Sequence, residues 1–150
     1  MASTITSATL TTTISETITL NGQAINSENQ LLISDITEIS KRIVTIPTAA
    51  EATVVIFGAL VAAGTFIAAN VKYIRITNKD NTNFVRIRVT SSGSQTFDIK
   101  LEAGKSFIMG NTKESVSASG VAFSAFIDAT SINAQADTAA VDIEIIVATI

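Results

Sequence analysis

The chain of 150 residues carries a formal net charge of −3 with a pI near 4.8, which argues against a nucleic-acid binder, since those concentrate positive charge on one face. Hydrophobic residues make up 47% and charged residues 15%, enough for one domain with a real core and too apolar for a disordered acidic polymer. The absence of His and Cys removes the commonest general base and metal ligand, thiolate chemistry and disulfides.

Ile, Val, Ala, Thr and Ser dominate and Leu is scarce, a β-branched vocabulary suited to pleated surfaces. Residues 1–12 are small and Thr-rich without periodicity, so a flexible or partner-bound N-terminal arm is expected there. Residues 13–20 alternate, with Ile14, Ile18 and Leu20 on one face, and Asn21-Gly22 ends that strand. The mixed pattern of residues 30–39 fits either a short strand or a loop. Residues 41–46 form a strand stopped by Pro47, the sole proline.

Ala52-Thr53-Val54-Val55-Ile56-Phe57 is a continuous run that predicts a central strand. Residues 59–69 hold the alanines of a helix, but Gly58, Gly64 and their β-branched neighbours favour a loop. No apolar run reaches the roughly 18 residues of a membrane span. Residues 71–77 and 84–90 are the clearest pair of strands, and the turn chemistry of Asn78-Lys79-Asp80-Asn81-Thr82-Asn83 between them predicts a hairpin. Residues 96–101 and 106–109 flank a tight connection, residues 121–127 alternate again, and residues 141–147 turn Val141, Ile143, Ile145 and Val147 inward. About nine short strands, with no sustained helical stripe, predict a single all-β domain over residues 1–150. The expected architecture is an antiparallel β-sandwich, jelly-roll-like, with residues 1–12 as its arm.

Gly104-Lys105-Ser106 looks like the end of a phosphate-binding loop, but Ile99 stands where the first glycine belongs and no helix-length segment follows. A strand–turn–strand, with Gly104 at positive φ, is the better reading. Asp142 and Glu144 share a strand face where they could hold a cation or pair for hydrolysis. No third oxygen ligand accompanies them, so the polar side of a strand suffices. The same holds for the oxygen-rich turn at residues 78–83, which lacks the spaced ligand series of a calcium loop. No catalytic residue, metal site or cofactor is therefore expected.

The basic residues carry more. If residues 71–77 and 84–90 pair as a hairpin, one exposed surface gathers Tyr73, Arg75, Phe84, Arg86 and Arg88. Arg and aromatic side chains are enriched at protein interfaces, which makes these five the candidate protein–protein contact.

Four segments then carry a resemblance: "SKRIVTIPT", "VKYIRITNKDNTNFVRIRV", "DIKLEAGKSFIM" and "AQADTAAVDIEIIVATI". Together, over roughly residues 40 to 150, the chain resembles small virion structural proteins of marine tailed phages, cyanophages among them. The resemblance implies a β-sandwich built into the particle, with no catalytic residue to carry over. It implies a non-enzymatic decoration or cement protein that packs against copies of itself and the capsid shell, the major capsid protein being the favoured partner. The alternative is a tail or fibre component that touches host carbohydrate. A homo-oligomer made in the host cytoplasm and carried in the virion is expected, with neither nucleic acid nor membrane as partner.

Overall fold

The computed structural model describes residues 4–110 and 129–150. In chain order its strands are β1 (Ala8–Leu20), β2 (Gln23–Ile36), β3 (Glu38–Ile46), β4 (Ala52–Phe57), β5 (Thr65–Phe66), β6 (Val71–Asn78), β7 (Val85–Ser91), β8 (Thr96–Leu101), β9 (Ser106–Met109), β10 (Ala129–Ala136) and β11 (Val141–Thr149). One three-residue 3₁₀ turn, Ala68–Asn70, is the only helical element among the described residues.

Among the described residues, nine strands form two facing sheets, ordered β3-β11-β6-β9 and β5-β4-β10-β7-β8. Every neighbouring pair is antiparallel except the short β4–β5 contact. The chain passes repeatedly from one sheet to the other, interleaving two four-stranded sheets into a jelly roll, with β5 as an added edge. The fold class and architecture agree with the expectation from sequence.

Period-two alternation builds the core. Ile74, Ile76, Ile143 and Ile145 point inward from one sheet, and Val55, Val85, Ile87, Val89 and Ile132 from the other, all fully buried. Each such side chain contributes about 1.5–3 kcal/mol by leaving water. Both faces of the sandwich therefore start from the same rule, and differ only in what the outward positions carry.

The hairpin expected between residues 71–77 and 84–90 does not form. β6 pairs with β11 and β9, whereas β7 pairs with β10 and β8. The linker is a crossing between sheets, and a buried asparagine builds it. Asn78 Nδ2 donates to the carbonyls of Asn83 at 2.9 Å and Leu101 at 3.0 Å, while its Oδ1 accepts from the Asp80 amide at 2.9 Å. Asp80 Oδ1 in turn accepts from the amides of Thr82 and Asn83, both at 2.7 Å. These two amide donors hold the Asp80 carboxyl below the ordinary range. Its oxygens thus stabilise the turn itself.

The turn at residues 102–105 also crosses between sheets, from β8 to β9. Gly104 has φ +71° with nothing near a would-be Cβ, so its requirement is conformational rather than spatial. The Lys105 amide donates to the Glu102 carbonyl at 3.1 Å, and the Lys105 carbonyl accepts from the Asn78 amide at 2.9 Å. The segment is a turn, as expected. Residues 59–69 form bends, the β5 pair and the 3₁₀ turn, close to the expected loop. The strand expected at residues 121–127 lies outside the described residues.

The N-terminal third departs furthest from expectation. β1 begins at Ala8, inside the expected arm, and β2 runs unbroken through a stretch whose sequence showed no clear strand. They pair from Leu20↔Gln23 down to Ala8↔Ile36 as a separate two-stranded sheet. Asn21 at φ 50° and Gly22 at φ 78° make the two-residue turn with positive φ at both positions that suits hairpin twist. With 13 residues in β1, the hairpin is about 40 Å long at ~3.3 Å per residue.

Candidate assembly surface

The outer face of the β5-β4-β10-β7-β8 sheet is mostly polar, and its charges are matched locally, although among the described residues the buried Arg86 Nε and Asn133 Oδ1 have no hydrogen-bond partner. Arg88 grips Asp98 with Nε and Nη2, each at 2.7 Å, and its Nη1 lies 3.2 Å from Glu51. Arg86 Nη2 donates to the same Glu51 at 2.8 Å and to Gln135 at 2.7 Å, and Gln135 passes the network on to the Thr48 carbonyl at 2.9 Å. The hydrogen bonds from Arg88 hold the Asp98 carboxyl below its usual range, and the same contact raises the Arg88 pKa. Phe84 is half-buried, with Lys100 Nζ 4.6 Å from its ring centroid, a cation–π contact.

The outer face of the β3-β11-β6-β9 sheet mixes apolar and charged positions. Glu144 is its electrostatic centre: Lys41 Nζ approaches it at 3.1 Å and Arg75 donates to its other oxygen. The Lys41 hydrogen bond, foremost, holds the Glu144 carboxyl below its ordinary range. Asp142 accepts from Thr45 Oγ1 at 2.6 Å. The two acids on this strand are thus each committed to a different local partner, and among the described residues no group of three potential metal ligands forms. Among the described helices, none is long and apolar enough to cross a membrane.

Alongside these charges the same face carries Tyr73, Ile146 and Ala148, and here the base of the hairpin lands. Leu10, Leu31, Ile33 and Ile36 pack on them as a second apolar cluster, while the Thr37 amide donates to the Thr149 carbonyl at 3.0 Å. Beyond the base, residues 13–30 are all exposed. The register puts Leu10, Ile14, Ile18 and Leu20 on one side together with Leu31 and Ile25, and puts Thr11, Thr13, Ser15, Thr17 and Thr19 on the other. That side carries apolar residues from base to tip, interrupted by Thr12 and Glu16, and only its base is covered. Open grooves of about 340 Å³ and 450 Å³ flank that base, the first lined in part by Ile14, Tyr73, Arg75 and Ile108, the second by Leu31, Lys72 and Ile150.

The five predicted contact residues therefore do not form one surface. Tyr73 is buried beneath the hairpin base and Arg75 is tied to Glu144 on one side of the sandwich. Phe84, Arg86 and Arg88 lie on the opposite side within their own network. The physical reason is the crossing at Asn78: strands adjacent in sequence line opposite walls of the core. What sequence reading missed is the length of the hairpin, although Asn21-Gly22 between two Thr- and Ile-bearing segments is the strongest short hairpin signal.

No family model and no curated protein matches the chain. Among solved structures, similarity is found to a chain described under "Bacillus endospore appendages form a novel family of disulfide-linked pili". Its TM-score is 0.38 and its identity 16%, over 75% of this chain and 88% of that one, a likeness too distant to carry an argument about function.

Proposed function

We propose that this protein is a non-enzymatic structural protein of a virion, a capsid-associated decoration or cement module that packs against copies of itself and the capsid shell. The observation that carries the assembly reading is the projecting hairpin. A lone two-stranded ribbon is marginal in water, and among the described residues this one pairs with no third strand and leaves its apolar side open beyond the base. Such an element gains its stability from a neighbour, by face packing or strand addition. The sandwich beneath it supports the same reading, because its outward carboxylates at positions 51, 98, 142 and 144 are engaged in local pairs.

The virion assignment itself rests on the resemblance of residues 40 to 150 to phage structural proteins. Jelly-roll sandwiches serve in capsid, lectin and cupin proteins alike, so the fold does not choose among them. Quantitative mass spectrometry of purified particles tests the assignment. Hundreds of copies per particle is the expected result for a capsid-associated protein. A few dozen or fewer moves it to the tail, and absence from particles overturns the virion reading.

A further inference from the structure

Two stripes on this chain match each other in spacing and oppose each other in charge. On β1, Ile14, Glu16 and Ile18 stand at alternate positions and so share the apolar side of the hairpin. On β3, Ile39, Lys41 and Ile43 share the outward side of the sheet edge, with unbroken register against β11. Each stripe reads apolar, charged, apolar, and each spans about 13 Å along its strand. Within one chain they do not meet: Ile14 and Ile18 are 50% and 56% exposed, Ile39 and Ile43 57% and 62%. Four half-bare isoleucines at the centre of two matching patterns mark surfaces that lack their cover.

We infer that the Ile14–Glu16–Ile18 stripe of one copy docks on the Ile39–Lys41–Ile43 stripe of another, an inference that rests on the assembly reading above and names its partner surface. Charge distribution favours a second copy as occupant. Residues 1–40 contain Glu16, Glu28, Asp35 and Glu38 and no Lys or Arg, so all 10 basic residues lie in the remainder of the chain. The hairpin of one copy is attracted to the sandwich of the next, and repelled by another hairpin. Continuity favours it too, because the base of the same apolar side already packs on the outer face of the sheet to which β3 belongs. Lys41 is 61% exposed while it pairs with Glu144, leaving its ammonium free to take Glu16 as a second partner.

Charge reversal tests the pairing directly. Sedimentation velocity on the full chain is expected to show self-association that Glu16→Lys and Lys41→Glu each weaken at least about tenfold. The double variant carries the swapped pair and is expected to recover association to near that of the parent. Glu28→Lys, on the polar side of the hairpin, is expected to change nothing, and thermal unfolding of each variant reports that the fold is intact. Single reversals without effect, or a double variant that stays as weak as the singles, overturn the inference. A parent chain that remains monomeric up to about 1 mM, the weak end of specific binding, also overturns it. A shortened hairpin, in which residues 14–29 are replaced by Asn-Gly between the register partners Thr13 and Gln30, separates the two levels. If it loses association while the reversals do nothing, the hairpin still assembles the protein but docks elsewhere. If it associates like the parent, the assembly reading falls as well.

Discussion

The two outer faces of the sandwich solve the same problem differently. On the β5-β4-β10-β7-β8 side, Arg86, Arg88, Glu51, Asp98 and Gln135 pair with one another across neighbouring strands, so the charges of that face are largely met by its own residues, with the buried Arg86 Nε and Asn133 Oδ1 left over. On the β3-β11-β6-β9 side, Tyr73, Ile146 and Ala148 need cover, and the base of the hairpin supplies it, while Ile39 and Ile43 stay bare. A face whose charges are paired locally offers less to a partner. A face finished only in part by its own chain is where a neighbour can add to it.

The largest effect is expected from Tyr73→Ala, which tests whether the covered part of the apolar face belongs to the core. Removing this buried ring should cost about 3 kcal/mol in urea denaturation and speed proteolysis of the hairpin. A loss below about 1 kcal/mol would mean that the hairpin merely rests on the sheet. Gly104→Val, in the crossing that joins the two sheets, should cost about 1–2 kcal/mol, because a β-branched residue is forced to φ +71°. Lys105→Ala should leave stability nearly unchanged, and a cost rivalling that of Gly104→Val would reopen the question of what that lysine does.

Acid should separate the faces more gently. Asp98 on the self-matched face and Glu144 on the other both ionise below the ordinary carboxylate range, through Arg88 and Lys41 respectively. A depressed carboxylate contributes stability above its unfolded pKa of about 4 and loses it as pH falls through the folded value. Stability should therefore be flat between about pH 5 and 8, where a chain without His has no side chain of ordinary pKa to titrate, and decline below. Asp98→Asn and Glu144→Gln should each remove part of that decline, with a smaller effect at neutral pH than Gly104→Val. An unchanged acid profile in both variants would show that other groups govern acid unfolding. A similarly small effect is expected of Ile43→Ser, which should stay within about 0.5 kcal/mol of the parent in a monomer. A clear loss of stability there would mean that the bare stripe packs within its own chain.

What sequence could show followed the water boundary. Val141, Ile143, Ile145 and Val147 alternate because one side of β11 meets the core, and that periodicity was readable directly. β2 was not readable over residues 23–30, since Gln23-Ala24-Ile25-Asn26-Ser27-Glu28-Asn29-Gln30 lies outside the core and nothing imposes alternation on it. The failed hairpin at residues 78–83 has a different cause. Two strands that pair and two that face each other across a sandwich present the same alternation, so the pattern does not distinguish them. Asn78, polar at an inward position after Ile74 and Ile76, was the available sign that the chain was leaving its sheet. The candidate contact inherited that error, and Tyr73 went from exposed partner to buried anchor once β6 and β7 were on opposite walls.

The interleaving of the jelly roll also governs how the molecule comes into being. β11 lies between β3 and β6, and its Asp142 meets Thr45 across 97 positions of chain. β10 similarly closes β4 onto β7 from a distance. Apart from the local β7–β8 and β4–β5 pairs, the core is thus built from pairings that require large loops to close before any hydrogen bond rewards them, a high-contact-order topology whose refolding belongs in the millisecond-to-second range rather than microseconds. During that interval β3 waits with its ladder partner absent, and its backbone edge is as open to a neighbouring chain as it is to β11's arrival. The local hairpin of β1 and β2, closed by a two-residue turn, forms far sooner. Until the sandwich covers its base that hairpin stays marginal, so subunits folding close together can meet while both parts are incomplete, and concentration during synthesis is a variable that shapes the product.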